Sequence, residues 1–259
     1  MKYSLMTLGA LAASVSAHGY VESVIAGSST YTGYNPSFSY QTPAPKAVGW
    51  AAENQDNGYV SPTAVAQPDI ICHKSATNAK EYVTAAAGDE ISLKWNTWPE
   101  SHHGPMIDYM ASCEGDCTTV DKTSLNFVKT QAKGLDSGSN PGTWATDDLL
   151  SNNLIHKTKI PADLKPGNYV LRHEIIALHS ASQKDGAQFY PQCINVKVTG
   201  SGSTAISGGE PATKFYKETG PSIQFNLYAT FSSYTIPGPA LWSGAAAKLK
   251  RHVRDFRLF

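Results

Sequence analysis

Asn168-Tyr-Val-Leu-Arg-His-Glu-Ile-Ile-Ala177 is dominated by apolar, β-branched and aromatic side chains and reads as a strand. Two other stretches support it. Glu90-Ile-Ser-Leu-Lys-Trp95 and Gln192-Cys-Ile-Asn-Val-Lys-Val-Thr199 alternate with period two, as half-buried strands do. Pro166-Gly167 and Gly200-Ser-Gly202 bound these runs as turns. Short helices are expected over 121–128 and 147–153, and long irregular loops over 26–48 and 96–118. Many short strands separated by Gly/Pro turns point to an all-β chain folded as a β-sandwich.

Composition agrees. The chain has 259 residues, 41% of them hydrophobic, with Gly 21, Pro 15 and Tyr 13. Charged residues are 16%, against about 25% in an ordinary domain. A disordered chain, a coiled coil and a disulfide-only miniprotein are excluded. One large β-rich domain remains.

The ends stand apart from the body. Residues 1–17 carry Lys2, an apolar run from Leu5 to Val15, and Val15-Ser16-Ala17, the small-residue pattern of a secretory cleavage site. That run is too short for a bilayer span, which needs about 20 apolar residues. The mature chain is expected to be secreted and to begin at His18. Residues 245–259 hold five Lys/Arg and one acid, so the neutral whole conceals an acidic body with a basic tail. The body, 18–244, shows no basic footprint for nucleic acid.

Cys72, Cys113, Cys117 and Cys193 give an even count, which in a secreted chain suggests two disulfides. Three pairings are open. The short Cys113-Glu-Gly-Asp-Cys117 loop permits a local bridge, which leaves Cys72 for Cys193. Their spacing fits no standard zinc pattern.

The chemistry is expected to begin at His18. Once Ala17 is removed, this residue offers an α-amine as well as an imidazole, and the amine with Nδ1 closes a six-membered chelate on one ion. The amine titrates near about 7.7–8, so a metal displaces its proton at mild pH. A second histidine would complete three nitrogens, a tetragonal set that suits copper(II). Trp98-Pro-Glu-Ser-His-His-Gly-Pro-Met106 supplies two candidates, His102 and His103. In an extended chain adjacent side chains point apart, so one of them reaches a given ion. His173 and His179 would share a strand face but lie about 20 Å apart, so they cannot both bind one metal, and one is a core histidine or a group supporting the ligands. Gln188 and Tyr190 also share a face. A phenol and an amide there would suit a metal centre that handles oxygen. No carboxylate pair stands out for a glycosidase. Asp147-Asp148 reads as a helix cap, and Glu174 as a partner of Arg172. No Gly-x-Ser-x-Gly hydrolase motif is present.

Six ordered segments together resemble the fungal lytic polysaccharide monooxygenases of auxiliary activity family nine, formerly glycoside hydrolase family sixty-one. They are His18-Gly19-Tyr20, Pro68-Asp-Ile-Ile-Cys-His73, Trp98-Pro-Glu-Ser-His-His-Gly-Pro105, the run from Gly167 to Ser180, Asp185-Gly-Ala-Gln-Phe-Tyr-Pro-Gln-Cys193, and Ser232-Ser-Tyr-Thr-Ile-Pro-Gly-Pro239. The resemblance spans 18–244 and implies an immunoglobulin-like β-sandwich with long loops and a flat copper-bearing face. It assigns one copper ion to His18, His102 and an axial Tyr190, and leaves His103 aside. It makes His179 and Gln188 hydrogen-bonding partners of the oxygen co-substrate. It pairs Cys72 with Cys193 and Cys113 with Cys117.

The implied reaction is oxidative cleavage of cellulose or a related β-1,4-glucan at C1 or C4. It consumes O2 or H2O2 and electrons from an external donor. Tyr40, Phe38 and Tyr228 would pack against sugar rings, whose faces are apolar. A monomer that binds neither nucleic acid nor membrane is implied. The competing readings are a secreted copper-binding protein without catalysis, and a carbohydrate-binding or weak endoglucanase domain.

Overall fold

The computed structural model describes residues 19–56 and 58–245. The predicted leader 1–17, His18 and the tail beyond Ala245 lie outside the described residues.

Two sheets face each other. The first is four-stranded and antiparallel, in the order β2-β1-β4-β9. Its strands are β1 (Val21–Ala26), β2 (Ser29–Thr32), β4 (Glu90–Trp95) and β9 (Ile155–Lys159). The second is five-stranded, in the order β3-β11-β10-β5-β6. It comprises β3 (Val83–Ala86), β5 (Met106–Ser112), β6 (Val128–Lys133), β10 (Gly167–Ala177) and β11 (Gln188–Thr199), with β3 parallel to β11 and the other pairs antiparallel. A small ribbon, β7 (Leu135–Ser137) with β8 (Thr143–Trp144), leads into helix α2 (Ala145–Ser151). One turn of helix, α1 (Asp69–Cys72), packs on β11.

The strand patterns follow from this layering. β4 belongs to the outer sheet and buries alternate residues, Ile91, Leu93 and Trp95. β10 is buried continuously from Tyr169 to Ala177 because both its faces are covered. Its residues Leu171 and Ile175 meet Val24, Leu93 and Trp95 between the sheets. Val170 and Ile176 face the other way, into a second core with Trp50, Ile70, Ile71, Phe215 and Tyr216 from the long connections. The non-alternating run at 168–177 is therefore the central strand of a sheet with loops packed over its back.

On that back face Arg172 and Glu174 form a fully buried bidentate pair, at 2.9 and 2.6 Å. Arg172 also donates to the carbonyls of Ile71 (2.8 Å) and Ile70 (2.7 Å), and Tyr216 donates to Glu174. The pair thus binds β10 to α1. Both disulfides are formed, Cys72–Cys193 with a sequence separation of 121 and Cys113–Cys117 with one of 4.

The helix expected over 121–128 is not formed. Asp121 instead caps a 3-10 turn, Lys122–Ser124, accepting from the Thr123 amide at 2.9 Å, and the chain enters β6 at Val128. The expected helix at 147–153 is α2, and Asp147 caps it by accepting from the Trp144 amide at 2.6 Å. Among the described residues, no helix is long and apolar enough to cross a membrane.

Candidate metal centre

Strand register gathers the expected residues at one end of the sandwich. Ala177, the last residue of β10, pairs with Gln188, the first of β11; Ile175 pairs with both Tyr190 and Met106. The loop carrying His102 therefore ends level with Tyr190, on the other side of β10, and His179 follows just past β10. At the same end β1 begins, with Val21 opposite Trp95. The segment after His18 is clamped there: the Tyr20 amide donates to Asn96 Oδ1 (2.8 Å), and the Asn96 amide to the Tyr20 carbonyl (3.1 Å). Gly19 is obligatory, because a Cβ would lie 2.2 Å from the Thr97 carbonyl oxygen.

His102 is buried and held by its own turn. Its amide donates to the Pro99 carbonyl (3.0 Å), and Trp98 Nε1 donates to its carbonyl (3.1 Å). Ser101 Oγ lies 3.2 Å from His102 Nδ1. With Nδ1 engaged by Ser101, Nε2 is the nitrogen that can ligate a metal. The His179 ring stacks on His102, with centroids 3.8 Å apart. Tyr190 donates to Gln188 Oε1 at 2.6 Å, and burial, with Tyr59 beside it, holds its phenol far above the ordinary value. The loop cannot drift, because Gly104 presses on β10 where a Cβ would lie 1.9 Å from the Ile176 carbonyl oxygen. The Leu178 amide donates to the His103 carbonyl at 2.9 Å.

His103 turns away, its Nδ1 3.2 Å from Asp147 at the start of α2. His173 is fully buried in the core. It does not share a strand with His179, since β10 ends at Ala177. Of the aromatics expected to meet sugar, Tyr40 and Tyr228 are exposed, at 77% and 51%. Phe38 is half-buried and edge-on to Tyr34.

A second titratable cluster was not anticipated as a unit. Asp108 lies within 2.7 Å of both His173 Nδ1 and His156 Nε2, all three side chains being buried between the sheets. Trp95 Nε1 donates to His173 Nε2 at 3.2 Å. That donation leaves Nδ1 as the protonated nitrogen, facing the carboxylate. The cluster could hold a metal by proximity alone, but each nitrogen facing Asp108 already makes a hydrogen bond. It reads as a closed carboxylate–histidine network. Burial, then His156, pushes His173 down to about 4. Burial raises Asp108, but the neighbouring imidazoles outweigh it and hold the carboxyl below its ordinary range. The sequence signal was one acid inside the otherwise apolar stretch Met106-Ile-Asp-Tyr-Met110.

The fold and this end of it define a class that comparison identifies. Residues 18–235 match the model of auxiliary activity family 9, formerly GH61. The AA9 family lytic polysaccharide monooxygenase F of Malbranchea cinnamomea is 56% identical over 243 residues, covering 94% of this chain and 98% of that protein. The extended catalytic domain of H. jecorina LPMO9A superposes with a TM-score of 0.85 at 51% identity, covering 88% of this chain and 92% of that one. A cellulose-active polysaccharide monooxygenase from M. thermophila gives 0.75 at 31% identity, covering 87% and 99%. The chain belongs to auxiliary activity family 9, the lytic polysaccharide monooxygenases, which are copper oxidoreductases.

Proposed function

We propose that the chain, secreted after removal of 1–17, is a monomeric copper monooxygenase whose single domain, 18–244, cleaves cellulose at C1, C4 or both. One copper ion would be held by the amine and ring of His18, by His102 and by Tyr190. The observation that carries this reading is the convergence of His102, His179, Gln188 and Tyr190 at the end of the sandwich where β1 begins.

The donor set fits copper. An imidazole offering Nε2 and a phenol kept protonated would join the amine and ring of His18, a nitrogen-rich donor set that suits copper(II). Copper, when bound, supplies the one-electron chemistry toward O2 or H2O2 that no side chain performs unaided. The protein's own groups do the rest. Tyr190 spends its proton on Gln188 Oε1, which fixes that amide and turns its N–H2 into the donor for the oxygen co-substrate. His179, stacked on His102, supplies a second hydrogen-bonding group. Exposed Tyr40 and Tyr228, together with half-buried Phe38, would give the glucan apolar faces to rest on.

The test uses the processed protein with His18 at its terminus, loaded with copper and freed of excess. It is incubated with amorphous cellulose and ascorbate, and the products are read by mass spectrometry. Aldonic acids establish attack at C1 and 4-keto sugars attack at C4. Copper-loaded protein giving no oxidised sugar would leave the copper-binding reading. Cleavage that survives chelator and removal of oxygen would leave the endoglucanase one.

A further inference from the structure

We propose that Trp98 is a positioning residue of the metal centre, one indole that fixes His102 and Tyr190 relative to each other. The inference rests on the copper reading above. Trp98 is buried, and its N–H donates to the His102 carbonyl at 3.1 Å. Its ring stands edge-on to His102 (centroids 5.9 Å, 85°) and edge-on to Tyr190 (5.1 Å, 84°). Those two residues come from different elements, a loop and β11, and Trp98 touches both. The Ser101 and Pro99 contacts to His102 are local to its own turn and carry no information about Tyr190.

Trp98 is itself backed by a stiff column. It meets Trp95 edge-on at 5.3 Å, and Trp95 is tied through its N–H to His173. Asp108 then bonds His173 in the five-stranded sheet and His156 in the four-stranded sheet. Every member of the column is buried, so shifting Trp98 means repacking Trp95 or breaking a buried hydrogen bond. The buried network that held no evident role thus gains one: it keeps Trp98 still. Removing a hydrogen-bond partner of a ligating side chain weakens metal binding by about 10–100-fold, and Trp98, acting through the His102 backbone and ring contacts, is expected at the low end of that range.

Trp98→Phe keeps an aromatic ring and deletes the N–H. The copper(II) electron paramagnetic resonance spectrum and the copper dissociation constant are measured on the mature chain, with melting recorded in the apo and copper-loaded forms. The expected result is a changed copper hyperfine splitting, about tenfold weaker copper binding and a smaller copper-induced rise in Tm. A variant that melts lower by the same amount with and without copper, at unchanged spectrum and affinity, makes Trp98 an ordinary core residue and overturns the inference. Should Trp98→Phe fail to fold, Trp95→Phe retains Trp98 and removes the tie to His173. It should move the spectrum in the same direction by less, and a wild-type spectrum there overturns the inference too. If His102→Ala leaves the copper spectrum as it is in the wild-type protein, the copper reading itself fails and takes this inference with it.

Discussion

At the scale of single residues, the bond from Tyr190 to Gln188 is the one with the clearest consequence. Tyr190→Phe keeps the ring against Trp98 and Tyr59 but strands the buried Gln188 Oε1 without its donor. An unpaired buried acceptor costs about 1–3 kcal/mol. Urea unfolding of the apo protein should show a loss of that size, and an unchanged midpoint would mean the amide finds another donor. The freed amide can also rotate, so oxidised product should fall by more than the stability change accounts for. Two features that point to this site stand out in the chain, a histidine directly after the expected cleavage point and the His-His loop, whereas Gln188 and Tyr190 taken alone read as ordinary strand-edge packing. Choosing His102 over His103 needed the family resemblance, because adjacency says only that the two diverge. Asp108, His156 and Trp98 stayed invisible as a group, since what unites them is contact across two sheets.

At the scale of elements, β10 shows how a pattern can be read correctly for its type and incompletely for its surroundings. Its apolar run announced a strand, and only the packed loops explain why it does not alternate. Those loops also explain Arg172 and Glu174, which a two-layer sandwich would expose. Glu174→Gln leaves Arg172 wholly buried, with backbone carbonyls as partners but no counter-charge. Breaking a buried pair from one side costs about 3–5 kcal/mol. Denaturant unfolding of the variant should register this, and a loss below about 1 kcal/mol would mean that water reaches the guanidinium. The failed helix at 121–128 has a local cause. Asp121 and Ser124 bond the nearby backbone and Thr123, offering the chain a turn that competes with a helix.

At the scale of the whole molecule, two covalent ties and one acid-sensitive interior set the stability. Cys72–Cys193 closes a loop of 121 residues between α1 and β11, worth about 4–5 kcal/mol through the unfolded chain, whereas the tie over a separation of 4 is worth about 2. Serine pairs at Cys72 and Cys193 should therefore lower Tm by about 10 °C or more, and those at Cys113 and Cys117 by about half that. Equal losses would mean that native-state strain or packing, rather than loop entropy, decides. The interior responds to pH with a definite sign. His173 is pushed to about 4 by burial and by His156, and His73 to about 4 by burial and by Lys74. Free histidine takes its proton near about 6.5, so below that pH the unfolded chain binds protons that the native protein refuses. Stability is therefore constant with respect to these groups above pH 6.5 and falls between about 6.5 and 4. Each proton can cost up to about 1.4 kcal/mol per pH unit. Asp108, held below its ordinary range, adds a loss of the same sign at still lower pH. Urea unfolding at pH 7, 5.5 and 4.5 should give a midpoint that falls at each step, and a flat profile would mean that both histidines are already charged in the native protein.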